Sequence, residues 1–226
     1  MASLAMLKGA SSPMKRLILA ALVVLIFLAT NNAQAQQWSF GTRAGMNIAM
    51  SDTEGAAFTE QTGTLTGYHA GIFGTVDISR FLAVQTEVLY SRKGFAEGDG
   101  QVALELTYFE LPIIMVLKLP ARLSPHAYLG IVLGLESGCN VTTSAIEGVN
   151  CEEAQEDAPR TRGADSGVLF GGGITLDAGP GALLLDVMYN LGLTDIAEKS
   201  DTVESIKTRT WYLSAGYVLP FGVPGR

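Results

Sequence analysis

Residues 38–48 read Trp38-Ser39-Phe40-Gly41-Thr42-Arg43-Ala44-Gly45-Met46-Asn47-Ile48, and their alternation decides the fold. Trp38, Phe40, Thr42, Ala44, Met46 and Ile48 share one parity; Ser39, Gly41, Arg43, Gly45 and Asn47 share the other. Successive side chains of an extended strand project to opposite sides, so apolar residues at every second position mark one face of a strand. A helix would repeat them every three or four residues. Seven more alternating runs follow, near residues 67–78, 82–92, 104–118, 125–136, 166–177, 182–193 and 209–219. Most are long enough to cross a bilayer at a tilt, which takes about 9 to 11 residues, whereas soluble strands more often hold about 5 or 6.

The connections between the runs alternate in length. Short ones follow runs two, four and six, at Ser79-Arg80-Phe81, from Leu119 to Ser124, and at Ala178-Gly179-Pro180-Gly181. Long ones, near 50–66, 93–103, 137–165 and 194–208, follow the odd runs. An even number of antiparallel strands with tight turns at one end and long loops at the other predicts an all-β, eight-stranded antiparallel transmembrane barrel of the outer-membrane kind. Both ends of the strand series then lie on the periplasmic side. The four long loops hold 15 acids and five bases, so the strands and turns balance at seven of each and the net charge gathers at one end.

Parity assigns the faces. Tyr68, Tyr90, Phe109, Tyr189 and Trp211 share the apolar parity near the long-loop end, and Trp38, Phe40, Tyr217 and Phe221 lie near the other. Two aromatic belts bordering an aliphatic band match the interfacial girdles of a membrane barrel, and the first run lacks the Gly-x-Trp of a lipocalin. The opposite parity carries Arg43, His69, Asp77, Glu87, Glu110, Lys118, Glu136, Asp177 and Asp186, with Gln85 and Tyr212. A charge facing lipid near the midplane costs roughly 2 to 4 kcal/mol for Arg or Lys, so these groups are expected to point inward. An eight-strand interior is just wide enough for side chains to fill, so a lumenal polar network of Arg43, Glu87, Glu110, Lys118 and Asp186 is expected to act as a plug. Arg43 is expected to pair with Glu87 or Glu110.

Ahead of the first run, Lys8, Lys15 and Arg16 precede an apolar stretch from Leu17 to Ala29, and Ala33-Gln34-Ala35 follows. This is the layout of a cleavable signal peptide over residues 1–35, with Met1 or Met14 as the start, leaving 36–226 as the barrel domain. The 13 apolar residues fall short of the roughly 20 that a spanning helix needs. The signal segment holds three of the 15 bases and no acid, so residues 36–226 carry 12 bases against 22 acids, net −10.

Composition narrows the function classes. Of 226 residues, 48% are hydrophobic and 16% charged, which excludes intrinsic disorder. The acidic balance without a basic run argues against nucleic acid. Two cysteines cannot staple a small secreted scaffold, and with only two histidines, His69 and His126, they fall short of a zinc site built on four cysteines or on three cysteines and a histidine. Cys139 and Cys151 lie in one long loop of an exported chain and are expected to form a disulfide whose effect is confined to that loop.

The chain resembles the PorT-like outer-membrane β-barrel family of Bacteroidetes-type bacteria. The residues that carry the likeness are Gly41 to Gly45 with Met46-Asn47, Gly67-Tyr68-His69-Ala70-Gly71, and Gln85-Thr86-Glu87-Val88-Leu89-Tyr90-Ser91-Arg92-Lys93-Gly94. Tyr108-Phe109-Glu110-Leu111-Pro112, Tyr128-Leu129-Gly130 and Gly167 to Gly173 continue it, so that it covers nearly all of 38–219. The resemblance implies an eight-stranded outer-membrane barrel and no shared activity. The length of the third long loop and its cysteine pair depart from the simplest members.

Signals for catalysis are weak. Parity and position put His69 near the loop end and His126 near the turn end, too far apart to share a site, and no Gly-x-Ser-x-Gly, His-x-Ser or His-Glu-x-x-His string occurs. Gly171-Gly172-Gly173 precedes no helical pattern and reads as a strand bend rather than a phosphate loop. Asn140-Val141-Thr142 is a chance glycosylation match in a bacterial envelope. Glu152, Glu153, Glu156 and Asp157 read as a solvated acidic loop, since they lack the spacing of a calcium loop. The expectation is a Gram-negative outer-membrane barrel that is no enzyme, with no cofactor or metal and no catalytic residue, and with a structural or adhesive role through acidic extracellular loops. Its partners would be outer-membrane lipid and an extracellular or envelope protein. The alternatives are an accessory component of envelope protein secretion and, third, a lipid-modifying enzyme.

Overall fold

The computed structural model describes residues 37–54, 63–97, 102–143, 148–151, 163–194 and 205–221; residues 1–35, where a signal peptide is expected, lie outside the described residues. The strands are β1 (Trp38–Glu54), β2 (Gly63–Asp77), β3 (Leu82–Glu97), β4 (Val102–Lys118), β5 (Leu123–Thr143), β6 (Val149–Asn150), β7 (Ala164–Ala178), β8 (Gly181–Gly192) and β9 (Ser205–Phe221). Eight of them form the wall, each antiparallel to its neighbours, with β5 passing to β7 and β6 a short partner on the upper part of β5. Trp38 pairs with Phe221 and Glu54 with Ser205, so β1 and β9 close the barrel along their whole length.

The short turns show why the chain reverses where it does. The Ser79 hydroxyl accepts from the backbone N–H groups of Phe81 and Leu82 at 3.2 and 3.1 Å, which folds the β2–β3 turn on itself. Ser124 Oγ donates to the Leu119 carbonyl at 2.6 Å across the β4–β5 turn. Between β7 and β8, Gly179 takes a φ of +64°. Pro180 is held near −65°, so only the first central residue is left-handed, which is the type II′ pattern that matches the twist of a hairpin.

The apolar parity faces outward. Ile72, Val88, Leu129, Ile131, Leu183, Leu185, Val187 and Leu213 are exposed on the wall, where lipid replaces water as their solvent. Above them runs a belt of ring contacts. Tyr68, Tyr90 and Phe109 lie 6.2 and 5.8 Å apart across β2, β3 and β4, and Phe170, Tyr189 and Trp211 lie 5.3 and 4.8 Å apart across β7, β8 and β9. At the turn end Phe40 and Phe221 meet edge to face at 5.8 Å. Trp211 and Phe221 stand ten residues apart on β9, roughly 33 Å along the strand and about 25 Å along the normal after tilting, the height of an outer-membrane apolar band.

The strands run past the predicted boundaries at the long-loop end. β3 continues to Glu97, β4 begins at Val102 and β5 continues to Thr143, so the ladder persists above the belt. Lys93 and Asp165, which the loop boundaries place in connections, are buried wall residues facing the lumen. The boundaries fall short because apolar alternation ends where lipid ends, whereas strand pairing does not. A bulge at Ser137, where Thr107 pairs with Gly138 and Tyr108 with Glu136, flips the parity of upper β5 and brings Cys139 and Val141 against Leu104, Leu106 and Tyr108.

Candidate functional site: the lumen and its extracellular mouth

The inward parity builds three polar levels. At the lowest, the Arg43 guanidinium from β1 crosses the lumen and donates to Asp186 Oδ2 on β8 at 2.9 Å; it lies 3.2 Å from Glu87 Oε1 on β3. It also stacks over the rings of Phe73 and Tyr128 at 5.2 and 5.7 Å. Asp186 Oδ1 accepts from His126 Nε2 at 2.7 Å, which leaves His126 Nδ1 to accept from Thr175 at 3.2 Å. A side chain on Gly173 would lie 2.2 Å from Asp186 Oδ1 and 2.8 Å from His126 Nε2, so this pair occupies the room that the glycine leaves. Gln85 accepts from Thr75 at 3.0 Å and donates to Glu87 at 2.6 Å.

At the middle level His69 from β2 is held from both ring nitrogens. Its Nδ1–H donates to Asn47 Oδ1 at 2.6 Å, and Ser214 Oγ donates to its Nε2 at 2.8 Å. The Asn47 amide faces this way because its nitrogen lies 2.9 Å from Ser91 Oγ and 3.1 Å from the Tyr68 and Arg92 carbonyls. Ser214, His69 and Asn47 thus follow the order of contacts of a hydrolytic triad with an amide as the orienting group. A hydrolase also needs substrate at the serine and free N–H donors beside it. Ser214 is buried, and its segment is laddered to β1 on one side and β8 on the other. The arrangement ties β1, β2, β3 and β9 together.

Above this, Lys93 on β3 forms an ion pair with Glu110 on β4, and the Tyr212 hydroxyl donates to both Glu110 oxygens at 3.1 Å. Asp165 Oδ2 accepts from Thr208 at 2.9 Å. Leu104 and Leu106, with Cys139, Val141 and Cys151, pack over the mouth, and the disulfide between Cys139 and Cys151 links upper β5 to the end of β6.

Of the five network residues expected from sequence, the structure gathers Arg43, Glu87 and Asp186 into one group. Glu110 lies with Lys93 instead of Arg43, at the uppermost level. Lys118 is separate: it pairs with Asp77 at 2.6 Å at the half-exposed turn-end rim. Asp177, expected inward, is exposed there, because the wall ends one residue later and water reaches both faces. Lys93, Asp165, Asn190, Ser214 and Thr210 were not singled out by the inward reading. Their inward parity was the available signal for the last three, masked by short polar side chains that fit any surface.

The family model that describes an outer membrane protein beta-barrel domain matches residues 32–198. The chain belongs to this family. It is therefore an outer-membrane β-barrel protein, located in the outer membrane. No curated protein matches it. Among solved structures it is similar to Ail of Yersinia pestis in complex with the heparin analogue sucrose octasulfate, at 15% identity over 81% of this chain and 99% of that one, TM-score 0.43. It is also similar to Neisserial surface protein A, at 17% identity over 80% and 97%, TM-score 0.47. OprG of Pseudomonas aeruginosa matches at 10% identity over 80% and 95%, TM-score 0.47.

Proposed function

We propose that this barrel is a non-catalytic, closed scaffold that acts at the cell surface, in a structural or adhesive role, through its acidic extracellular rim. The observation that carries the reading is the height of the wall above the belt. From Phe109 to the start of β4 at Val102 is seven residues, roughly 23 Å of strand and about 17 Å along the normal. A stiff ribbon of β4 and β5, fastened by Cys139–Cys151, therefore stands clear of the lipid. Side chains from every wall strand fill the lumen beneath it, which supports display rather than transport. The buried setting of Ser214 supports a structural reading of the His69 contacts over a lipid-modifying enzyme. The motifs around Glu87-Val88-Leu89-Tyr90 and Glu110-Leu111-Pro112 support placing the chain with PorT-like barrels inside its family.

The excess of acids in the long loops favours a cationic partner surface. Cells of a barrel-depleted strain displaying this protein should adhere to polylysine-coated glass more than cells displaying the variant with Glu152→Gln, Glu153→Gln, Glu156→Gln and Asp157→Asn. Equal adherence removes the adhesive reading. Stepwise conductance in planar bilayers removes the closed-scaffold reading.

A further inference from the structure

Three buried, lumen-facing glycines, Gly134 on β5, Gly167 on β7 and Gly192 on β8, leave room below the extracellular mouth, and polar side chains move into it over Gly167 and Gly192. Gly167 and Gly192 are register partners. A methyl group on Gly167 would fall 2.2 Å from Asn190 Oδ1, so that oxygen lies over Gly167. One on Gly192 would fall 2.6 Å from Thr208 Oγ1, the donor to Asp165 Oδ2 at 2.9 Å, so the Asp165 carboxylate reaches over the same floor. Thr210 is the partner of Asn190 across β8 and β9, and directly opposed side chains of that kind start about 5 Å apart. Glu136 stands two residues beyond Gly134, the register partner of Asp165.

Four oxygens of this group are buried without a hydrogen-bond partner: Glu136 Oε2, Asp165 Oδ1, Asn190 Oδ1 and Thr210 Oγ1. Asp165 is 6% exposed, Asn190 2% and Thr210 0%. Buried polar atoms are nearly always paired, and strand register sets these four on the adjacent strands β5, β7, β8 and β9 near their upper ends, so they point to a common partner. Only two other such atoms occur among the described residues, Arg43 Nε and Glu87 Oε2, both at the Arg43 level.

The chemistry of the set is specific. Two carboxylates, an amide carbonyl and a hydroxyl are hard oxygen ligands of the kind that calcium takes, in irregular geometry and with water completing the shell. Lys93 pairs with Glu110 and also attracts Asp165, so around Tyr108 one cation faces three carboxylates, Glu110, Asp165 and Glu136, and the corner keeps an excess of negative charge. Among the described residues no three His, Cys, Asp or Glu side chains gather to hold a metal ion, so the set here rests on two carboxylates completed by the neutral oxygens of Asn190 and Thr210. We propose that this corner of the upper lumen binds a hard divalent cation of the calcium type through Glu136 Oε2, Asp165 Oδ1, Asn190 Oδ1 and Thr210 Oγ1. Such an ion ties β5, β7, β8 and β9 together at their upper ends, where β8 stops at Gly192 while its neighbours continue.

The test uses the full barrel refolded into lipid nanodiscs without divalent ions and titrated with calcium chloride. Heat flow reads binding, and the loss of the fast-migrating folded form on unboiled gels reads melting. One saturable site and a higher melting temperature with calcium are expected. Asp165→Asn should weaken the affinity at least tenfold. Thr210→Val removes a hydroxyl that has no protein partner, so its calcium-free melt should equal or exceed the parent's while calcium binds more weakly; this variant carries the test should Asp165→Asn fail to fold. Neutralising Glu152, Glu153, Glu156 and Asp157 should leave the site intact. No calcium response in the parent, a response that survives Asp165→Asn or Thr210→Val, or one that vanishes only with the four loop acids would overturn the proposal and leave water as the occupant.

Discussion

Replacing Arg43 with alanine tests whether the lumen is held by charge. The guanidinium is buried and reaches Asp186 at 2.9 Å and Glu87 at 3.2 Å, so one truncation strands two carboxylates. Their losses are unequal. Asp186 keeps His126 at 2.7 Å and Tyr128 at 3.4 Å as donors, whereas Glu87 keeps Gln85 on one oxygen and has no hydrogen-bond partner on the other. Breaking a buried pair costs roughly 3 to 5 kcal/mol, most of it from the charge left behind. Taking about 4 kcal/mol and a urea slope of about 2 kcal/mol per molar, the unfolding midpoint in lipid vesicles should fall by about 2 M. Glu87→Gln added to Arg43→Ala should recover part of the loss by removing the stranded charge. Tryptophan fluorescence against urea reads both variants. A midpoint for Arg43→Ala within about 0.3 M of the parent would refute the idea that ion pairing anchors this level.

Leu185→Arg puts a cation on the outer wall between the two aromatic belts, where Leu185 is 56% exposed; vesicle unfolding should show a loss of roughly 2 to 4 kcal/mol, and no loss would mean that this face does not meet lipid. Trp38 and Trp211 lie towards opposite ends of the wall, so single-tryptophan variants should be quenched best by lipids brominated near the headgroup; stronger quenching from mid-chain bromine would dissolve the belt assignment. Mass spectrometry of non-reduced, alkylated protein should show no free thiol at Cys139 or Cys151, and Cys139→Ser with Cys151→Ser should still give the heat-shifted folded form on gels. Failure of that double variant to fold would show that the bond is needed by the wall and not only by the ribbon at the mouth.

The wall was legible because a barrel in lipid forces a strict alternation, and Arg43, Glu87, Glu110 and Asp186 could be turned inward from parity alone. Partner choice was not. Arg43 meets Asp186 across the lumen because the stagger between strands sets which residues share a level, and stagger leaves no mark in any one strand. Glu110 sits two levels higher, above His69, where Lys93 reaches it. Lys93 and Asp165 escaped for a different reason: above the belt both faces of a strand can be polar, so the wall continues there without the signal that reveals it below. The bulge at Ser137 is equally silent, since one extra residue costs the sequence nothing recognisable, yet it turns Cys139 towards Leu106.

The β1–β9 seam joins residues far apart in the chain, from Glu54 with Ser205 at its upper end to Trp38 with Phe221 at its lower end. Until β9 is in place, β1 and β8 are both bare edges. In lipid such an edge has no water to satisfy its N–H and C=O groups, and in water it is a template on which another chain can add. A nascent chain carrying only seven wall strands is therefore at home in neither medium. Insertion and closure become a single event, and every copy must be kept apart from its fellows until the last strand has crossed the inner membrane.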